Sequence, residues 1–169
     1  MRTIGVILFI PFLAWSTIRI VAAINFDRNC EGFLKRAADS NKVERAHAEM
    51  VKAVKYLEDN RLTSGYTSVL YTTPDEDIGF WYENLRDTRD DLAEFLKKIE
   101  SGEEVTALER SNVLMKVRET LLDEGQSVGV TVPDGISVYP HNVGLCWFGI
   151  LSTIALVGGC ACIIATLDV

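Results

Sequence analysis

The sequence predicts a mainly α-helical fold: a membrane-anchored small helical bundle that carries a short β-hairpin and is flanked by two transmembrane helices. Charge distribution is the first observation, because residues 3–18 and 143–167 contain no charged side chain while residues 26–142 contain 15 Lys and Arg and 23 Asp and Glu. The second observation is that apolar residues of the charged segment recur at three- and four-residue steps, as in amphipathic helices. A chain of 169 residues is long enough for one such domain.

The N-terminal segment, residues 1–25, is predicted to be a transmembrane anchor, with a cleaved signal peptide as the alternative. Ile4 to Asn25 is long enough to span a bilayer, whereas the small residues at 21–23 would suit a signal peptidase. Arg19 is the one charged residue between Ile4 and Asn25. Because it lies near the apolar end, we expect its side chain to snorkel to the membrane surface.

The amphipathic middle, residues 26–125, is predicted to form a helical bundle. One helix covers residues 30–39 and a second covers 42–59, where Asn41 and Glu44 have the spacing of an N-terminal cap. Residues 63–72 are predicted to be a loop. The segment Thr73-Pro74-Asp75-Glu76 combines a cap, a proline at the first helical position and carboxylates at the positive end of the helix dipole, so a third helix begins there.

This third helix has its apolar seam through Trp81 and Leu85 and is predicted to end at Ser101-Gly102. The capping-box spacing recurs at Thr106 and Glu109 and opens a fourth helix that ends near residue 124. Six apolar residues of the fourth helix are expected to face inward: Leu108, Leu114, Met115, Val117, Leu121 and Leu122. Short connections favour antiparallel neighbours in a bundle.

Residues 126–142 are predicted to be a β-hairpin and membrane-proximal linker. Val128, Val130 and Val132 alternate, Pro133-Asp134-Gly135 is a turn signal, and residues 136–139 would return as the second strand. An isolated hairpin is only marginally stable, so it should lean on the bundle just above the membrane.

Residues 143–167 are predicted to be the C-terminal transmembrane helix. Twenty-five uncharged residues span roughly 37 Å as a helix, against about 30 Å of hydrocarbon. Ala155 and Gly159 are four positions apart, a spacing that lets a neighbouring helix approach closely, but Gly and Ala are common in membrane helices anyway. Self-association through this span is therefore the alternative to a span without a dedicated partner.

The flanking charges predict an extracytoplasmic domain in a cell or internal membrane. Arg2 and the terminal amine favour a cytoplasmic N-terminus, which places residues 26–142 outside. Four basic residues soon after the first span favour the opposite orientation: Arg28, Lys35, Arg36 and Lys42. That rule weakens for long loops, and this loop is acidic.

Residue types that carry chemistry are sparse, and we expect neither enzymatic activity nor a bound metal or cofactor. His47 and His141 lack metal-ligand spacing, and three of the four cysteines fall in the C-terminal span, which leaves Cys30 as a packing residue. Asp75, Glu76 and Asp77 are explained by helix capping. The net charge of −7 argues against a nucleic-acid partner.

Aromatic residues are concentrated between positions 66 and 82. Trp81 lies on the apolar seam of its helix, so its neighbours Phe80 and Tyr82 must flank that seam. Tyr66 and Tyr71 lie in a loop of Thr, Ser and Gly that has no apolar periodicity. Packing beneath the loop is the interpretation that the sequence favours. The alternative is a recognition surface, for which the candidate ligand- or partner-binding residues are Tyr66, Tyr71, Phe80 and Tyr82.

Three segments, NCEGFLKRAADSN (29–41), LTSGYTSVLYTTPDEDIGFWYENL (62–85) and ERSNVLMKVRETLLDEG (109–125), resemble an uncharacterised family of small bacterial, cyanobacterial-type membrane proteins with no known activity. The resemblance implies a bacterial membrane protein and no site residue. The layout, a helical domain between two spans, is also similar to chemoreceptor sensor domains, although layout carries no function.

Two functions fit these features. The domain is expected to be a non-enzymatic interaction or accessory module for another membrane or envelope protein, and the alternative is a small-ligand sensor or carrier. An exposed apolar patch would favour docking, whereas a closed pocket lined by Tyr66, Tyr71 and Trp81 would favour a ligand.

Overall fold

The computed structural model describes residues 6–122 and 129–164, and it confirms the mainly helical prediction. The α-helices of these ranges are α1 (Ile10–Phe26), α2 (Gly32–Ala38), α3 (Val43–Asp59), α4 (Ile78–Glu100), α5 (Ala107–Leu121) and α6 (Asn142–Ile164). A π-helical segment, Asp27–Glu31, joins α1 to α2, and single 3-10 turns cover Pro74–Glu76 and Ile136–Val138.

The helical run from α1 to α2 leads from the apolar N-terminal segment into the domain. Phe26, Cys30 and Leu34 recur at four-residue steps and are all buried in the core. Gly32 lies where the π-helical turn brings the backbone close, because a Cβ there would be 2.9 Å from the Asp27 carbonyl oxygen. The wider turn thus keeps one apolar face continuous through the junction.

Helix α3 is the centre of the domain and packs against α2 on one side and α4 on the other. Six of its apolar residues are buried, at the three- and four-residue steps that the sequence shows: Val43, Ala46, Met50, Ala53, Val54 and Leu57. From α4, Ile78, Leu85 and Leu92 complete this core. The seam expected for the third helix is therefore buried at Ile78, Leu85, Thr88 and Leu92, whereas its other residues are only partly buried: Trp81, Phe95 and Ile99.

In helix α5, the buried side chains are near the C-terminal end. Val117 and Leu121 lie in the core, but Leu108 and Met115, expected to face inward, are 69% and 55% exposed. Helix α2, one of its packing partners, is only seven residues long and ends at Ala38. Leu114, also expected to face inward, is partly buried and packs against the core, so the inward face of α5 is only partly covered.

The prediction of a β-hairpin at 126–142 is wrong for residues 129–142, the part of this segment that the structure describes. Val130 forms an isolated bridge with Leu122 instead of pairing with a return strand. Ile136–Val138 is a 3-10 turn that begins after Gly135, whose φ is +77°. Ile136 and Val138 are buried and this turn packs against α1, so burial against a helix outcompetes a two-stranded ladder. Residues 123–128, which include Val128, lie outside the described ranges.

Of the described helices, α6 alone is long and apolar enough, by length and composition, to cross a membrane. The prediction of two such helices is therefore met only in part, since the described α1 has 17 residues and residues 1–5 are outside the description.

The two apolar helices pack against each other. The Trp15 indole nitrogen donates to the Leu145 carbonyl oxygen at 2.8 Å. A Cβ at Gly149 would be 2.7 Å from Trp15 Cε2, so glycine allows this close approach. Ser152 and Gly159 are buried as well, which indicates that α6 uses its small residues within the chain.

Candidate functional site

A broad cleft of about 1170 Å³ lies between the 66–77 loop, the first turns of α4 and the segment 131–134. The aromatic lining residues are Tyr66, Tyr71, Phe80 and Trp81. The charged lining residues are all acidic: Asp75, Glu76, Asp77 and Asp134.

The loop that forms one wall is held by backbone hydrogen bonds to the start of α4. Thr67 N donates to the Glu76 carbonyl oxygen at 3.0 Å, and Ile78 N donates to the Gly65 carbonyl oxygen at 2.9 Å. Gly65 has a φ of +105°, and a Cβ on it would collide with the Tyr139 hydroxyl. This glycine is therefore required both for the turn and for the approach of Tyr139.

The start of α4 differs from the sequence prediction. Pro74–Glu76 is a separate 3-10 turn with its own capping box, and the α-helix begins only at Ile78. Asp77 is extended because it bridges to Tyr66, and its Oδ1 accepts from Gly79 N at 2.8 Å and from Phe80 N at 3.2 Å. This second cap orients the first turn of α4 toward the cleft.

The opposite wall is attached through Trp81. Its indole nitrogen donates to the Thr131 carbonyl oxygen at 2.8 Å, fifty positions along the chain. The sequence placed Trp81 in the helix seam and named it otherwise only as a lining residue of the alternative ligand pocket. A half-buried indole N–H needs a hydrogen-bond acceptor, and that requirement could have signalled a second contact without identifying the partner.

Three of the four candidate recognition residues line the cleft, and Tyr82 does not. Tyr66, Tyr71 and Phe80 are 47%, 75% and 65% exposed. The Tyr82 hydroxyl instead donates to Glu58 Oε1 on α3 at 3.0 Å. Burial, together with the hydrogen bond to the Glu58 carboxylate, raises the pKa of Tyr82. The tyrosine ring thus braces α4 against α3.

The four cleft carboxylates divide into two that cap backbone and two that are free for a ligand. Glu76 Oε2 accepts from Thr73 N at 3.3 Å and from Thr73 Oγ1 at 2.9 Å, and Asp77 caps α4. Asp75 and Asp134 make no ion pair or side-chain hydrogen bond with the residues that the structure describes. The cleft therefore presents uncompensated negative charge beside exposed aromatic rings.

Reactive groups lie away from this cleft. Cys30 is fully buried, and desolvation, with a smaller effect of the Glu31 charge, raises its pKa to about 12. His47 lies on α3, where burial and the nearby Arg89 cation lower its pKa. Within residues 6–122 and 129–164, His, Cys, Asp and Glu do not gather into a group that could hold a metal ion.

No protein-family model, curated protein or solved structure matches this chain. The chemistry of the cleft and its place on the molecule are therefore what bear on function.

Proposed function

We propose that the protein is a membrane-anchored docking module whose water-facing helical domain binds a positively charged segment of another membrane or envelope protein in the aromatic cleft. One observation carries this proposal: the cleft joins four aromatic rings to four carboxylates, and none of its lining residues is Lys, Arg or His.

Arginine and lysine match both features of this lining. A guanidinium or ammonium group over an aromatic face gains about 0.5–1 kcal/mol at an exposed site. The free carboxylates of Asp75 and Asp134 add charge attraction, which also steers the approach of a basic partner. Each aromatic residue adds apolar contact area with little loss of side-chain entropy.

The shape of the cleft favours a polypeptide over a small molecule. Sites for small ligands measure about 300–1,000 Å³ and bury most of the ligand surface. This cleft is larger, and Tyr71 and Phe80 keep most of their surface in solvent. An enclosed ligand pocket would cover those rings, so we favour docking over the sensor or carrier alternative.

The anchoring half of the proposal is supported by the surface of the α1–α6 pair. Of the exposed large apolar side chains, eight belong to residues 6–24 and eight to α6, against seven in the rest of the described chain. Contact of so much apolar side-chain surface with water would be energetically unfavourable. Lipid is the environment that suits it, and we place the pair in a membrane with residues 26–142 on the extracytoplasmic side.

Peptide binding to the full chain in lipid nanodiscs tests the docking function. The probe is a fluorescent dodecapeptide with four arginines, and its control is the same peptide with neutral citrulline at those positions. We expect micromolar or tighter binding of the arginine peptide that weakens with added salt, and about tenfold weaker binding of the citrulline peptide.

Variants assign that binding to the cleft. Tyr71→Ser should weaken it about fivefold without a change in melting temperature, because the ring is 75% exposed. The double variant Asp75→Asn, Asp134→Asn should weaken it at least as much, whereas the double variant Asp39→Asn, Glu44→Gln, at two exposed positions near the start of α3 that do not line the cleft, serves as the matched charge control. Equal losses in the control and the cleft variants would mean that net acidity, and not this cleft, attracts the peptide.

A further inference from the structure

A second recess, of about 370 Å³, lies where the helical domain meets the α1–α6 pair. Its lining comes from four parts of the chain: Arg19 on α1, Thr67 and Leu70 on the loop, Asp134 beside the 3-10 turn and Asn142 at the start of α6. Tyr71, Thr73, Glu76 and Asp134 also belong to the aromatic cleft, so the two depressions adjoin.

Two buried side-chain oxygens of the recess residues have no hydrogen-bond partner among the described residues: Thr67 Oγ1 and Asn142 Oδ1. Thr67 is 3% exposed and Asn142 is 8% exposed. The Asn142 amide nitrogen is already used, since it donates to the carbonyl oxygens of Thr67 at 2.9 Å and Gly135 at 3.0 Å. A buried acceptor without a donor is costly, so these oxygens call for a hydrogen-bond donor from outside the chain.

Arg19 supplies the opposite charge on the α1 side of the recess. Its guanidinium carbon lies 5.6 Å from the Trp15 ring centroid, and none of the ion pairs of the described ranges includes it. Asp134 on the other side is also unpaired. The lining of the recess therefore includes one cation and one carboxylate without an ion pair, together with Thr67 and Asn142, whose side chains carry the two unpartnered oxygens.

We propose that this recess binds the zwitterionic headgroup of an aminophospholipid. The phosphate would pair with Arg19, and the primary ammonium would pair with the exposed carboxylate of Asp134, on the side of the recess where the two unpartnered oxygens are buried. Position supports this ligand: the first residue of α6 lines the recess, so a membrane around α6 places its headgroups at this depth. The inference rests on the proposed membrane anchorage.

The chemistry separates this headgroup from those of other lipids. A choline headgroup has the same phosphate and charge but no N–H donor for the Asp134 carboxylate. A purely anionic headgroup would bring its charge toward Asp134 and Glu76. Leu70, 87% exposed on the rim, provides apolar contact for the glycerol and acyl region.

Lipid retention by the full chain tests the site. The protein is reconstituted in nanodiscs with equal amounts of phosphatidylethanolamine, phosphatidylcholine and phosphatidylglycerol, extracted gently, and analysed by native mass spectrometry for the lipid that stays bound. We expect the ethanolamine lipid to exceed each of the others about tenfold, the effect of one charge-assisted hydrogen bond. Inorganic phosphate in excess should not displace it.

Variants distinguish the two halves of the site. Arg19→Gln should lower retention of all three lipids, with Arg45→Gln on the exposed face of α3 as its control. Asp134→Asn should bring the ethanolamine-to-choline ratio near one, with Asp59→Asn as its control. Equal retention of the three lipids by the unaltered chain, displacement by phosphate, or equal losses in Arg19→Gln and Arg45→Gln would each overturn the inference.

The same samples separate this inference from the docking function. Arg19 is not a lining residue of the aromatic cleft, so Arg19→Gln should leave binding of the arginine peptide unchanged. A chain that stays in the nanodisc and binds the peptide without discriminating lipids would overturn the headgroup site alone. A chain that leaves the nanodisc would overturn membrane anchorage and the headgroup site together.

Discussion

Cys30 allows a quantitative test of the packing between the α1–α2 junction and the rest of the core. Its side chain is fully buried, and desolvation raises its pKa from an ordinary 9.0 to about 12. Only the thiolate reacts with a maleimide. At pH 8 the thiolate fraction falls from about 10⁻¹ to about 10⁻⁴, so labelling should slow roughly a thousandfold even before steric protection is counted.

The assay compares two single-cysteine chains. One keeps Cys30 and replaces the other three cysteines with alanine: Cys146, Cys160 and Cys162. The other adds Cys30→Ala and introduces one exposed thiol through Ser111→Cys on α5. Gel shift by a polyethylene-glycol maleimide at pH 8 should label the exposed thiol within minutes and leave Cys30 unmodified, and in guanidinium the two chains should react equally.

Rapid labelling of Cys30 would refute the packing described above. If Cys30 and the Ser111→Cys thiol of the folded chains were labelled at rates within about tenfold of each other, the Cys30 thiol would be neither desolvated nor covered. Helices α1 and α2 could then not pack against α3 as described. Labelling of this thiol is also a poor probe of membrane topology, because a buried cysteine resists the reagent from either side. The exposed Ser111→Cys thiol is the better reporter of orientation.

Three further predictions concern stability of the full chain in detergent. Leu85→Ala should lower the free energy of unfolding by about 2–5 kcal/mol because Leu85 is buried. Asp87→Ala, at an exposed position, should lower it by less than about 0.5 kcal/mol. Equal melting temperatures of the two variants would reject the α4 seam. Gly149→Val should push α6 away from the Trp15 ring and lower the free energy of unfolding by about 1–3 kcal/mol. The displacement should also shift the tryptophan emission, and an unchanged emission spectrum would count against the helix pair. Folding lowers the pKa of His47, so the contribution of the neutral imidazole to the free energy of unfolding is complete above about pH 6.5 and is lost as the pH falls. His47→Gln should therefore make the free energy of unfolding less dependent on pH between about pH 7 and 5. Parallel pH profiles for the variant and the unaltered chain would disprove this.

The elements governed by neighbours in sequence were predictable from the residues alone. Helix α3 was expected at 42–59 and is Val43–Asp59, although the expected cap of Asn41 and Glu44 is wrong, because Lys42 is the N-cap residue and makes no side-chain cap hydrogen bond. Helix α4 ends at the expected Ser101-Gly102. The capping box of Thr106 and Glu109 opens α5 as predicted. These features depend on apolar periodicity and on hydrogen bonds between residues three or four positions apart, so the local sequence contains the whole cause.

The candidate site was only half predictable, because it joins segments that are distant in sequence. Tyr66, Tyr71 and Phe80 were identified from their concentration within a short stretch, and all three line the cleft. Whether Tyr82 faced the same way depended on Glu58, a hydrogen-bond partner on another helix. Nothing near Trp81 in sequence indicated that its indole would meet the Thr131 carbonyl oxygen.

The structure of the segment before α6 was decided by tertiary packing. Alternating valines predicted a hairpin there, yet Ile136 and Val138 are buried in a 3-10 turn. The hydrogen bonds between two short strands stabilise an isolated hairpin less than burial of Ile136 and Val138 against the apolar surface of α1 stabilises the 3-10 turn. The sequence thus determined which segments are helical and where the charges lie, while contacts between distant segments determined which side chains meet, because those contacts depend on the relative placement of whole helices.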